Sequence, residues 1–147
     1  LEAIGNLDAL PDITHRELSE AIKDTADHDR MTMILALSYS SRWELTQAAR
    51  NIAAAAQRGE IDPEKISQDT FKAFLTTNDY PDPELLIRTS GEYRISNFLL
   101  WQIAYSELYF TPKLWPDFRK EDLYEAIVDF QKRERRFGQT SEQIIEG

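Results

Sequence analysis

The chain has 147 residues, 41% of them hydrophobic and 29% charged, with a formal net charge of −9; that suits one globular domain with its own core and excludes disordered and fibrous classes. It holds no cysteine, so disulfides and thiolate metal sites are excluded, and its acidic balance argues against general nucleic-acid binding, which needs a basic face. No apolar run reaches the roughly 20 residues that span a bilayer, and the opening "LEAIGNLDAL" has neither the basic nor the apolar region of a secretion signal.

In chain order, Leu1 to Gly5 reads as a strand end running into a polar loop at Asn6, Asp8 and Pro11, the mark of a fragment whose first strands lie elsewhere. A helix is expected from Thr14 to about Ala26, with Leu18, Ala21, Ile22 and Thr25 on one face and His15 and His28 towards solvent. Met31 to Leu37 is a continuous apolar run of strand length, as in a parallel strand covered on both faces. It breaks into "SYSSRWE", where Ser41 and Glu44 have the spacing of a capping box, ahead of a helix carrying Leu45, Ala48, Ala49, Ile52 and Ala53. The cap is one reading of Ser40 and Ser41. The other is a ligand site, because a strand-to-helix turn beside Arg42 is where open sheets bind anions. Asp62-Pro63 predicts short helices, and 78–83 a proline-containing loop. Without repeat or linker, the order predicts a single domain, residues 1–147, of α/β class: a mostly parallel sheet with helices on both faces.

The chemistry concentrates between Asp82 and Phe118. Leu85, Leu86 and Ile87 predict a buried strand with Arg88 at its carboxyl end, and Ser90-Gly91 a tight turn. Glu92, Arg94 and Ser96-Asn97 follow, and then an apolar run that reads as a helix starting at Ser96. Two arginines and a helix N-terminus would together bind phosphate or diphosphate; the competing reading pairs the arginines with Glu92 or Asp82 in a structural network. Glu107 precedes a last short strand, Leu108 to Phe110. A straight helix would hold Ser96 and Glu107 about 16 Å apart at 1.5 Å per residue, too far for one compact diphosphate, so the helix ends early, the groups serve different phosphates, or a second subunit completes the site. A final helix is expected over about Glu121 to Phe137, with Leu123, Ile127, Phe130 and Phe137 as a core or dimer stripe and Arg133, Arg135 and Arg136 near its end.

The run "PELLIRTSGEYRISNFLLWQIAYSELYF" with the later "LWPDF", together with "SYSSRWE" and "RERRFG", resembles the cis-prenyltransferases, and among them the bacterial undecaprenyl diphosphate synthases. The resemblance extends from near Ile4 to Gly138. It implies a magnesium-dependent homodimer that adds isopentenyl diphosphate to an allylic prenyl diphosphate, farnesyl diphosphate, with Z geometry, making the undecaprenyl carrier of cell-wall synthesis. It also implies a cytoplasmic enzyme with peripheral contact at the inner face of the membrane. Carried over by position, Arg88, Arg94, Ile95 and Ser96 would grip isopentenyl diphosphate with Glu92 in support. Arg42 would add to the substrate site, Arg136 and Gly138 would reach a partner's active site, and Glu107 would bind Mg2+. The family's catalytic aspartate, in an Asp-Gly-Asn-Gly-Arg motif, is not among these residues, so this stretch alone is expected to be inactive. Tyr93 stands where some members have histidine, and Ser40-Ser41 replaces a common Gly-Gly. The alternatives are a non-catalytic accessory subunit and a diphosphate-binding domain without chemistry.

Overall fold

The structure, a computed structural model, describes residues 1–133. These fall into two compact units, one of residues 1–81 with 97–99, the other of residues 82–96 with 100–133. Every strand pairing in the described residues is parallel, and helices connect or follow the strands, so the class is α/β as expected.

The first unit opens with a strand-helix-strand arrangement: β1 (Glu2–Ile4), α1 (Asp12–Asp24) and β2 (Ile34–Ala36). Glu2 pairs with Ile34 and Ile4 with Ala36. The expected seven-residue strand contracts to the three residues that pair with β1. Met31 and Met33, ahead of β2, are 77% and 51% exposed, and the Met33 carbonyl accepts from the Glu2 N–H at 2.8 Å. Helix α1 turns Leu18 inward, with Ala21, Ile22 and Thr25 half-buried on the same face and both histidines exposed. The next helix, α2 (Ser41–Gln57), contributes Ala48, Ile52 and Ala55 to a core shared with Ile4 and Leu75; burying one isoleucine is worth roughly 1.5–3 kcal/mol. Asp62 caps a 3-10 turn at Pro63–Lys65, and Ser67 and Thr70 form a reciprocal capping box on α3 (Gln68–Lys72), which gives the expected short helices.

The Tyr80 hydroxyl donates to Glu2 Oε2 in this unit, and that bond, with burial, pushes the phenol from its ordinary 10.0 up to about 12. A raised folded-state value means the native form holds its proton more tightly. Its contribution is therefore complete below about pH 10 and disappears as the pH climbs to about 12. The expected result is that the denaturant midpoint of Tyr80→Phe lies below the parent's at pH 9 and converges on it by pH 12. Parallel curves would mean that Tyr80 does not titrate with folding.

The second unit holds β3 (Leu85–Arg88), β4 (Glu107–Phe110) and α4 (Lys120–Gln131). Leu85 pairs with Glu107 and Arg88 with Phe110. Ser90 and Gly91 have φ of 68° and 65°, which makes the expected tight turn. The helix expected from Ser96 does not form, and residues 96–105 are turns and bends. Ser96, Asn97 and Leu99 have φ of 49°, 62° and 48°, and a left-handed backbone cannot carry a right-handed helical ladder. Helix α4 ends at Gln131, short of the expected Phe137, and residues past 133, including Arg135, Arg136, Phe137 and Gly138, lie outside the described residues. On α4 the residues turned inward are Asp122 and Ala126, while Leu123 and Ile127 of the expected stripe are 39% and 36% exposed. No helix among the described residues is long and apolar enough to cross a membrane.

Candidate functional site

The turn into α2 shows how its first N–H groups are satisfied. The cap is Ser40, whose Oγ accepts from the Trp43 N–H at 3.4 Å; Ser41 is already helical. Asn97 supplies the rest. Its backbone carbonyl accepts from the Ser41 N–H at 3.0 Å, its Oδ1 accepts from the Arg42 N–H at 3.0 Å, and its Nδ2 donates to Ser40 Oγ at 2.7 Å. The helix start is therefore capped by protein and has no free N–H donors for an anion; the cap reading holds for Ser40 and not for Ser41. Arg42 keeps an exposed side chain beside it.

With Ser40 as the cap, Glu44 does not stand at the third helical position of a capping box. It is 2% exposed, turned into the protein, and accepts from the Tyr39 hydroxyl at 2.6 Å, the Thr76 N–H at 3.0 Å and the Thr76 hydroxyl. Burial, and then the Glu44 bond, raise the Tyr39 phenol well above its ordinary range. The Tyr39 ring meets Phe98 edge-on at 5.7 Å and 75°. Asn97 and Glu44 were the residues that sequence reasoning missed as organisers. The signal for Glu44 was its place on the buried stripe of Ser41, Ala48, Ile52 and Ala55; for Asn97 it was only a residue type that tolerates the left-handed region.

In the second unit Arg88 closes β3 at its carboxyl end. It is half-buried, and its Nε is buried without any hydrogen-bond partner. No ion pair to it exists among the described residues, so the structural network offered as the competing reading does not include Arg88. It does include Arg94, which pairs with Glu92. Ile95 is half-buried and Ser96 exposed. The Tyr93 ring, 78% exposed, rests on Phe110 at 5.3 Å. A buried guanidinium atom without an acceptor costs free energy until an anion supplies one.

Glu107 is not in a loop. It begins β4, three positions along the ladder from the level of Arg88, or about 10 Å at 3.3 Å per residue. Arg88 and Glu107 thus stand at opposite ends of the strand pair and are not neighbours. Glu107 Oε2 accepts from Arg133 Nη1 at 2.8 Å. Arg133 lies just past the end of α4; its other contacts are the Leu108 carbonyl at 3.0 Å and Asp129 Oδ2 at 2.9 and 2.5 Å. No three metal-binding side chains cluster among the described residues. The contact to Arg133 is made by Glu107 Oε2, and magnesium is commonly held by one or two carboxylates with phosphate oxygens; Glu107 fits as one ligand of such a set.

Parallel strand pairs with helices after them define an α/β protein, with Arg88 at the carboxyl end of β3. The chain belongs to the prenyltransferase family described as "Putative undecaprenyl diphosphate synthase", whose model matches residues 1–138. It is 56% identical over 98% of its length to an isoprenyl transferase of Chlorobaculum tepidum, covering 54% of that protein, and 51% identical over 98% to an isoprenyl transferase of Porphyromonas gingivalis, covering 57%. Its fold matches lavandulyl diphosphate synthase from Lavandula x intermedia, solved with dimethylallyl diphosphate, at a TM-score of 0.91 and 42% identity over 94% of this chain and 59% of that one. The chain spans about half the length of the curated relatives it matches.

Proposed function

We propose that the full-length protein carrying this chain is a prenyl diphosphate synthase that condenses isopentenyl diphosphate with an allylic prenyl diphosphate, farnesyl diphosphate, and elongates it with Z geometry to undecaprenyl diphosphate, the carrier lipid of cell-wall synthesis. The observation that carries the reading is Arg88, with a buried Nε that no group among the described residues satisfies, in a chain of this family. Arg88 donates to the isopentenyl diphosphate. Arg94, held by Glu92, adds positive charge there, and Ile95 and Ser96 border the group. Arg42, in the first turn of α2, is a further substrate-binding residue. Both units are parts of one catalytic domain.

In the reaction the allylic C–O bond breaks and its electron pair leaves with diphosphate. The isopentenyl double bond attacks the allylic carbon, and a proton is lost from the isopentenyl C2. The residues described here act by positioning and by holding charge. Glu107 would hold Mg2+, which neutralises diphosphate charge when bound. Its place at the far end of the ladder from Arg88 suits a homodimer in which Arg136 and Gly138, outside the described residues, complete the neighbour's site. The outward stripe of Leu123 and Ile127 supports that dimer. The protein works in the cytoplasm, with peripheral contact at the inner face of the membrane.

The test is full-length protein with labelled isopentenyl diphosphate, farnesyl diphosphate and magnesium. The expected outcome is labelled Z-polyprenyl diphosphate that is lost when EDTA removes the metal. Saturable diphosphate binding without incorporation would instead identify a binding domain or an accessory subunit.

A further inference from the structure

The guanidinium of Arg133 is divided between two carboxylates. Its Nη1 donates to Glu107 Oε2 at 2.8 Å and to the Leu108 carbonyl at 3.0 Å, while Nε and Nη2 both donate to Asp129 Oδ2, at 2.9 and 2.5 Å. All three nitrogens are in use, and the three side chains are only partly screened, at 31%, 27% and 46% exposure for Arg133, Glu107 and Asp129. One positive charge between two negative ones leaves the cluster with one net negative charge. A carboxylate already neutralised on one oxygen attracts a divalent ion weakly, and magnesium gives up its waters reluctantly. Diphosphate would supply both the missing negative charge and the missing oxygens.

We infer that Arg133 is a positioning residue that makes cation binding at Glu107 depend on diphosphate, so that the metal and the anion enter together. This rests on Glu107 being a magnesium ligand. Binding linkage is reciprocal, so the same arrangement makes diphosphate binding depend on the cation. With the guanidinium removed, Glu107 and Asp129 are two unneutralised carboxylates that share one neighbourhood and attract a cation without help.

The experiment measures Mn2+ binding to the full-length protein by electron paramagnetic resonance, with and without inorganic diphosphate. In the parent, diphosphate should strengthen Mn2+ binding. In Arg133→Met, Mn2+ without diphosphate should bind roughly tenfold tighter than in the parent, and the advantage from diphosphate should shrink by about the same factor, within the usual range of coupling between sites. Arg133→Lys keeps the charge but not the fork, and should behave like the parent. If Arg133→Met does not fold, Arg133→Gln, which can still donate to the Leu108 carbonyl, takes its place. Unchanged or weaker diphosphate-free binding in the uncharged variant overturns the inference, as does loss of coupling in Arg133→Lys, which would make Arg133 a brace. Glu107→Gln separates the two levels. If it leaves Mn2+ binding intact, the metal-ligand reading fails; if it abolishes diphosphate-supported binding while Arg133→Met matches the parent, only the role of Arg133 fails.

Discussion

Arg88→Leu in the full-length protein should raise KM for isopentenyl diphosphate by roughly 10- to 150-fold and leave the thermal midpoint unchanged or slightly higher. The first half follows from losing at least one charge-assisted hydrogen bond, worth about 1.5–3 kcal/mol, with each 1.4 kcal/mol a factor of ten. The second follows from the structure of the free site, where the Arg88 Nε is buried with no acceptor. Leucine removes that unsatisfied group and keeps much of the apolar stem. Most binding-site arginines braced by carboxylates would cost stability when removed; this one should not. A lowered midpoint together with an unchanged KM would show that Arg88 is structural, and both quantities come from the same preparation.

Gly5→Ala should destabilise the fold by about 3–5 kcal/mol, among the largest effects of a single substitution. Gly5 follows β1 with φ of +112°, and a Cβ there would overlap the Leu37 carbonyl oxygen and stand 3.2 Å from the Tyr39 Cα. Those are backbone atoms and cannot rotate away. Moving them would strain the bond from the Leu37 N–H to the Ile4 carbonyl, 3.0 Å, at the end of the β1–β2 ladder. It would also disturb the turn through Tyr39 and Ser40 that starts α2. Against a typical stability of about 5–15 kcal/mol, the variant should show a midpoint lower by roughly 10 °C and a poor soluble yield. A loss under about 1 kcal/mol would mean that the β1 end and the Leu37–Tyr39 turn are free to separate.

Where local pattern and tertiary need agreed, the sequence was readable. The apolar run 85–87 became β3, 108–110 became most of β4, and Asp62-Pro63 and Ser90-Gly91 made the turns their residue types favour. The failures share a cause: a distant partner decided them. The run after Ser96 has helical length and composition, yet Asn97 is spent on capping α2, with partners 55 and 57 residues away, and its left-handed backbone stops the helix. Glu44 has capping-box spacing, but Thr76, 32 residues on, and Tyr39 claim its carboxylate. Arg133 stands at the helix end as its position suggested, but its guanidinium also reaches Glu107, 26 residues earlier, which local pattern could not show. For the candidate site the motif supplied Arg88, Arg94 and Glu107 as names. It could not say that Arg94 is paired with Glu92, that Arg88 is not, or that parallel register sets Arg88 and Glu107 at opposite ends of one ladder.

The central claim is that the buried Arg88 Nε awaits a diphosphate oxygen, and a crystal structure of the full-length protein soaked with isopentenyl diphosphate tests it most directly. The expected result is a diphosphate oxygen within ordinary hydrogen-bond distance of Arg88 Nε, about 2.7–3.2 Å. A fully occupied isopentenyl diphosphate bound elsewhere, with that nitrogen still unpartnered, would contradict it.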